Sequence, residues 1–201
     1  MKGRMIFSQL FPVTLAFAGL GLEARAQTAD TIPRTSVSDR IVSWQAKAAA
    51  GDAGAMRMLA DCYRHGDGVE RDMREAWRWY ALAASGGDLE AEYEIGCLYR
   101  DGNGVRQDMK EAAYWFRKAA RNGHPEAMLN IARQFENGDG VLQDSRIAAE
   151  YYWRAASGGN AEAASRYAEM LRDGVGVKAD PAQARKWQAK ADALHRAKTT
   201  P

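Results

Sequence analysis

Histidine and cysteine are scarce in this 201-residue sequence, and their scarcity limits the chemistry that the protein can perform. The three histidines, His65, His124 and His195, stand in no His-Glu-x-x-His pattern, and no Gly-x-Ser-x-Gly or Ser-x-x-Lys motif is present. Cys62-x-x-His65 could supply two metal ligands, but no second pair completes a four-coordinate site. We therefore expect no catalytic residues, no metal and no cofactor, and we predict that the protein is not an enzyme.

Long apolar runs are also missing, apart from one at the N-terminus. Lys2 and Arg4 precede a mostly apolar stretch at residues 5–22, and Ala24-Arg25-Ala26 is a small-x-small cleavage signal. This layout is typical of a secretory signal peptide, whereas an uncleaved anchor is disfavoured because Pro12 and polar residues interrupt the run. We predict cleavage after Ala26, export to the periplasm or secretion as the alternative, and no membrane insertion of the mature chain.

An excess of charge of one sign is absent as well. The whole sequence has 28 basic and 26 acidic residues. Cleavage after Ala26 would remove three of the former and one of the latter, leaving 25 of each. A neutral domain offers no electrostatic reason to expect nucleic acid or an anionic membrane as a partner.

An internal period of 36 residues dominates the rest of the chain. Gly51, Gly87, Gly123 and Gly159 are separated by this step without insertion, and so are Gly66, Gly102, Gly138 and Gly174. Further series with the same step include Ala55, Ala91, Ala127, Ala163; Val69, Val105, Val141, Val177; Asp72, Asp108, Asp144, Asp180; and Trp79, Trp115, Tyr151, Trp187. Chance cannot produce such agreement, so four tandem copies fill residues 51–194.

Each copy has the signals of two helices. The first helix follows a capping residue, which is Asp52, Asp88 or Asn160, with His124 in that place in the third copy. It ends at a Gly-x-Gly-Val turn, and the second helix begins at the repeated Asp of the series that starts with Asp72. A single helix pair cannot bury its apolar face, so the pairs are expected to stack.

The predicted architecture is an all-α solenoid of four 36-residue helix–turn–helix repeats with an extra N-terminal capping helix. At the C-terminal end, Gln188 and Asp192 replace aromatic and alanine residues of earlier copies, as a capping repeat requires. The predicted divisions are a signal peptide at 1–26, a flexible linker at 27–37, a capping helix at 38–50, repeats at 51–86, 87–122, 123–158 and 159–194, and a tail at 195–201.

Residues 91–108, Ala-Glu-Tyr-Glu-Ile-Gly-Cys-Leu-Tyr-Arg-Asp-Gly-Asn-Gly-Val-Arg-Gln-Asp, closely resemble the Sel-1-like repeat. The likeness continues through Lys110-Glu111-Ala112 to Trp115 and Lys118-Ala119-Ala120 and covers residues 51–194. The family is a relative of tetratricopeptide repeats, and its members are adaptor modules. In the bacterial envelope some regulate sensor kinases, assist polysaccharide assembly or affect host-cell contact, and others serve endoplasmic-reticulum quality control.

The resemblance also implies a binding surface, because the first helix of each pair lines a concave groove in tetratricopeptide relatives. Tyr93 and its counterparts vary freely, so we interpret this position as lying outside the core. The groove candidates are Arg57, Asp61, Arg64, Tyr93, Cys97, Arg100, Leu129, Arg133, Glu136, Ser165, Glu169 and Arg172. The alternative is that these residues form an ordinary solvated helix surface with no binding function.

The favoured hypothesis is a monomeric periplasmic adaptor or regulator that holds a protein partner in this groove, such as an envelope protein or a sensor kinase. The alternatives are an envelope enzyme acting on peptidoglycan and a scaffold that binds peptidoglycan or polysaccharide. A nucleophile–base pair would favour the enzyme. A row of exposed aromatic residues in the groove would favour the carbohydrate scaffold, and Tyr93 alone is thin support for it.

The two cysteines raise a separate question, because an even count in an exported chain invites a disulfide. Cys62 and Cys97 fall in the first helices of neighbouring repeats. Packed helices lie about 8–10 Å apart, whereas a disulfide needs Cα atoms within roughly 7 Å. We therefore expect two free thiols.

Overall fold

The computed structural model describes residues 37–199, and within this part the chain is helical throughout, with turns between the helices and no strand. The nine helices are α1 Val37–Ala49, α2 Ala53–His65, α3 Met73–Ser85, α4 Leu89–Asp101, α5 Met109–Arg121, α6 Pro125–Asn137, α7 Ser145–Ser157, α8 Ala161–Asp173 and α9 Pro181–Thr199. They confirm the all-α solenoid of four repeats. The predicted signal peptide and most of the predicted linker lie outside the described residues.

Each repeat is a pair of helices whose ends are set by the capping residues that the sequence predicts. Asp72 and its counterparts accept backbone N–H groups of the first turn of each second helix; the Asp72 Oδ1 accepts from Arg74 and Glu75 at 2.8 and 3.1 Å. The predicted capping role of His124 is confirmed, because its Nδ1 accepts the Ala127 N–H at 3.3 Å. These contacts satisfy amide groups that a helix terminus would leave without partners.

The first helices α2, α4, α6 and α8 form one layer, and the second helices α3, α5, α7 and α9 form the other. Each helix packs chiefly against its neighbours in sequence. Between the layers lies a core rich in alanine, in which Tyr80, Phe116 and Tyr152 are fully buried at one repeat position. At the fourth copy this position is Gln188, which is exposed and donates to Asp192 at 3.0 Å, so the predicted polar cap is confirmed.

Helix α1 occupies the place of a second helix that precedes the first pair. Its bounds, Val37–Ala49, lie 36 residues before those of α3, Met73–Ser85. The loop glycine Gly68 approaches Val37 and Ile41 of α1 so closely that a Cβ atom would overlap them, and Gly104 approaches Met73 of α3 in the same way. The predicted capping helix therefore corresponds to the second half of a repeat, and it follows the same 36-residue register as the other second helices.

Two predicted boundaries differ from the structure. The linker was expected to reach residue 37, but α1 begins there. The tail was expected from residue 195, but α9 continues to Thr199. The helix continues because no glycine or proline follows Pro181 within α9, whereas a glycine stands one or two residues after the end of each earlier second helix.

Candidate functional site: the outer surface of the first helices

Three equivalent positions on each first helix form the candidate site, which we call the first-layer strip. On α2 these positions are 57, 61 and 64, a spacing that places their side chains on one face of a helix. Its members are the twelve residues that the sequence predicts: Arg57, Asp61, Arg64, Tyr93, Cys97, Arg100, Leu129, Arg133, Glu136, Ser165, Glu169 and Arg172. Eleven of them are partly or fully exposed, and Leu129 is buried with 7% exposure.

The structure brings most of the strip together in a series of clefts. A cleft of about 410 Å³ is lined by Arg57, Asp61, Arg64, His65, Glu90 and Glu94. The next, of about 260 Å³, contains Arg64, Tyr93, Cys97 and Arg100, so it adjoins the first through Arg64. Glu136 and Glu169 share a smaller cleft, and Glu169 and Arg172 share another beside α9. Leu129, Arg133 and Ser165 line none of these clefts.

A ladder of polar contacts links consecutive first helices across the strip. Its three rungs join the same two repeat positions. They are the ion pair between Arg64 and Glu94, the hydrogen bond from Arg100 Nη1 to Asn130 Oδ1 at 2.9 Å, and the ion pair between Glu136 and Arg166. The last rung has its charges reversed relative to the first. The strip is therefore a surface of paired charges.

The ladder partners Glu94, Asn130 and Arg166 were missed by the sequence analysis. Their repeat position contains Met58, Glu94, Asn130 and Arg166, which vary as widely as the residues of the strip. A signal was present, because Glu94 opposes Arg64 in charge and Arg166 opposes Glu136 in charge. A comparison of successive repeats for opposite charges would have found two of the three rungs.

Every arginine of the first helices has an acidic partner. Arg57 contacts Asp88 at 3.1 Å and Asp61 at 3.5 Å. The remaining pairs are Arg64 with Glu94, Arg100 with Asp101, Arg133 with Glu162, Arg166 with Glu136 and Glu169, and Arg172 with Asp173. The hydrogen bond from Arg100 lowers the pKa of the Asp101 carboxyl, which keeps this partner ionised at neutral pH.

Two buried phenols reach the strip from the second helices. The Tyr80 hydroxyl donates to Asp61 and accepts from Arg64 Nη1 at 3.5 Å, and the Tyr152 hydroxyl donates to Glu136 Oε2 at 2.5 Å. Burial, followed by the hydrogen bond to the carboxylate, raises the pKa of both phenols. The charges of the strip are thus connected to the core by donors that stay protonated.

The burial of Tyr93 differs from what the sequence analysis predicts. Its ring stacks on His124 at a centroid distance of 4.5 Å and lies 5.9 Å from the ring of Phe116. It is half-buried and packs against a core cluster that extends from α5 to α9, so the interpretation that this position lies outside the core is wrong. The reason is that Tyr93 fills the space beside the capping His124, a residue type found at this cap only in the third repeat.

Both cysteines are free thiols in the structure, with Cys62 buried and Cys97 partly buried. Burial raises the pKa of each thiol, so neither is disposed to be a thiolate nucleophile at neutral pH. Across residues 37–199, no three His, Cys, Asp or Glu side chains are grouped in a way that could hold a metal ion. No helix in this part of the chain is both long and apolar enough to span a membrane.

A model of the Sel1 repeat matches residues 53–88, 89–124, 125–160 and 161–191. The chain belongs to the Sel1 repeat family. The matches start at the first residue of each first helix, two residues after the start of each predicted repeat, and they keep the same period. Sel1-repeat proteins are generally protein-interaction modules, and their fold is typically a non-enzymatic scaffold.

Solved structures share this fold. A protective antigen present in uropathogenic Escherichia coli strains, with an SLR fold, is 32% identical at a TM-score of 0.74, over 76% of this chain and 33% of the other. A Sel1 repeat protein from Oxalobacter formigenes is 29% identical at a TM-score of 0.72, over 79% and 64%. Cysteine-rich protein B of Helicobacter pylori is 26% identical at a TM-score of 0.50, over 62% and 89%.

The chain thus spans one third of the length of the Escherichia coli antigen and less than two thirds of that of the Oxalobacter protein. No curated protein matches the sequence significantly.

Proposed function

We propose that the protein is a non-enzymatic interaction module that binds a protein partner along the first-layer strip. The observation that carries this proposal is the contrast between a packing frame that repeats every 36 residues and a strip whose residues change from copy to copy. A surface that only has to remain in water does not need adjoining clefts at these positions. Variation on a regular frame is how repeat proteins distinguish one partner from another.

The chemistry of the strip favours a polar, charged segment of a partner. Its acids and arginines are already paired, so a partner has to exchange intramolecular ion pairs for intermolecular ones. Such exchange contributes more to specificity and to the rate of association than to affinity. The clefts of about 410 and 260 Å³ between these side chains are suited to individual side chains of an extended peptide.

The test uses crosslinking of the protein in envelope extract, followed by mass spectrometry of what is captured. The first-layer variant, Arg64→Ala with Arg100→Ala and Arg133→Ala, should lose at least one specific protein that the wild type captures, and added salt should weaken that capture. The matched control is the second-layer variant Lys110→Gln with Arg121→Gln and Arg146→Gln, which also removes three cations and should retain the same protein.

Equal capture by the first-layer variant and the wild type would contradict the assignment of the strip. A circular dichroism melt of each variant separates loss of binding from loss of fold. Release of products from muropeptides by the purified protein would contradict the non-enzymatic proposal and favour an envelope enzyme.

We also propose that the chain is exported to the periplasm after cleavage at Ala26. The support is the pattern of residues 1–26, in which a positive start and an apolar stretch precede a small-x-small site. The intact mass of the protein recovered from periplasmic extract of its native host should correspond to a chain that begins at Gln27. A full-length species retained in membranes or cytosol would overturn the proposal.

A further inference from the structure

The charges of the second helices are distributed very differently from those of the first helices. In the second pair, α4 carries four acids, Glu90, Glu92, Glu94 and Asp101, and one base, Arg100. Its partner α5 reverses this balance, with Lys110, Arg117, Lys118 and Arg121 against Glu111 alone. The neutrality expected from the total charge therefore hides an unequal distribution, in which the second helices are basic and the first helices and loops supply the compensating acids.

Several cations of the second layer also lack acidic partners, although Arg78 pairs with Glu75 and Arg146 Nε lies 3.8 Å from Asp144 Oδ1. On α5, Lys118 contacts Glu92 at 3.0 Å. The other three cations of α5 form no ion pair within the described part of the chain, and Lys110 and Arg121 are exposed. On α9 the same is true of Arg185 and Lys186. Arg117 lies over the Phe135 ring at 5.6 Å, whereas Lys110, Arg121, Arg185 and Lys186 are exposed to solvent.

On three of the four second helices, one cation lies over an aromatic ring of the same helix. Lys118 lies over the Trp115 ring at 4.9 Å, and Arg154 lies over Tyr151 at 5.3 Å. The third such contact places Lys190 over Trp187 at 4.6 Å. All three join the same two repeat positions, so they set a row of cations across α5, α7 and α9, whereas α3 of the first repeat has Leu82 in place of the cation.

Exposed aromatic side chains lie among these cations. On α5, Lys110, Tyr114, Arg117 and Arg121 follow one another at helical spacing and so share one face, and Tyr114 is 58% exposed. On α7, Trp153 occupies the repeat position of Arg117 and is 47% exposed. Core packing does not require an exposed tryptophan or tyrosine at these places.

We propose that this second-layer face, centred on the outer sides of α5 and α7, binds the surface of a bilayer that contains anionic phospholipid. Lysine and arginine side chains near such a surface are attracted to its phosphates, and tryptophan and tyrosine prefer the level of the headgroups. A face that combines both is suited to binding the interface without spanning the bilayer. The first-layer strip, on the opposite side of the core, is then left open to the aqueous phase.

The test measures sedimentation of the full chain with phosphatidylglycerol–phosphatidylcholine vesicles and with phosphatidylcholine vesicles alone. We expect binding only to the anionic vesicles and a decrease as salt is added. The second-layer variant Lys110→Gln with Arg121→Gln and Arg146→Gln should bind about tenfold more weakly or worse. The first-layer variant Arg64→Ala with Arg100→Ala and Arg133→Ala, which removes equal charge from the other layer, should bind like the wild type.

A second readout follows Trp153 directly, so that it is independent of residues 1–26, which all variants share. The emission of wild type minus that of Trp153→Phe should shift to the blue when anionic vesicles are added. The absence of this shift would overturn the proposal, as would equal sedimentation of the two triple variants. Binding to heparin without binding to anionic vesicles would also overturn it and indicate a soluble polyanion as the partner.

Discussion

The two helix layers share one core, but they differ in how many of their surface cations have an acidic partner. In the first layer every arginine has an acid beside it, as with Arg64 and Glu94 or Arg166 and Glu136. In the second layer Lys110 and Arg121 of α5 are exposed and form no ion pair with any described residue. The difference shows that the repeat constrains only inward-facing positions, so each outer face can acquire its own chemistry.

The largest expected effect is the loss of stability when a buried side chain of either layer is truncated. Similar losses in the two layers would show that both contribute to the core. Ile95 on α4 and Phe116 on α5 are fully buried. Ile95→Ala should lower the free energy of unfolding by about 2–5 kcal/mol and Phe116→Ala by about 3–5 kcal/mol, because each leaves a cavity. Urea denaturation measures both values.

The control for this prediction is Tyr114→Ala, which removes an exposed aromatic residue from the same helix as Phe116. It should change the free energy of unfolding by about 0.5 kcal/mol or less. If truncation of Phe116 were as mild as that of Tyr114, the second layer would not share the core, and the comparison between the layers would fail.

A smaller effect should separate paired from unpaired cations. Arg64→Ala leaves Glu94, whose side chain is 15% exposed, without its partner, and we expect a loss of about 1 kcal/mol in the free energy of unfolding. Arg121→Ala on the second layer should cost less than about 0.5 kcal/mol. Thermal denaturation of the two variants, with Glu94→Gln added to complete a double-mutant cycle, measures the coupling. Equal losses for Arg64 and Arg121 would show that the pairing of the first layer contributes nothing.

The smallest effect concerns pH and the phenols that join the layers. The pKa values of Tyr80 and Tyr152 are raised above the ordinary value of 10.0, chiefly by burial. Their contribution to stability is therefore complete below about pH 10 and is lost as the pH rises above it. The variant Tyr80→Phe with Tyr152→Phe should show a shallower decline in unfolding free energy between neutral pH and about pH 11 than the wild type. The unfolding free energy of the exposed-site variant Tyr114→Phe should decline with pH as that of the wild type does. An equally steep decline in the double variant would contradict the contribution of Tyr80 and Tyr152.

The fold could be predicted closely because its determinants are local. A capping side chain, a glycine in the left-handed region and an apolar face each act within a few residues, and they recur four times. Even the unusual cap His124 could be read from its place in the repeat. Helix α1 could have been placed in register too, because Ala48 precedes Ala84 by the same 36 residues.

The candidate site was predictable in outline but not in its contacts. The strip positions follow from helical spacing, yet the burial of Leu129 and the stacking of Tyr93 on His124 depend on neighbours in the next repeat. The unlike charge of the layers was hidden for a different reason. Total charge carries no information about which residues share a face, and the bases of the second helices are offset in the sum by acids of the first helices and of the loops.

The close approach of each loop to the preceding second helix affects how the two outer faces can change in sequence during evolution. A Cβ atom at Gly104 would overlap the backbone of Met73, and one at Gly140 would overlap the backbone of Met109. Main-chain contact therefore limits how one repeat can be oriented against the next. Substitutions on either outer face do not touch this main-chain contact, so binding residues can change while the contact between loop and helix is kept.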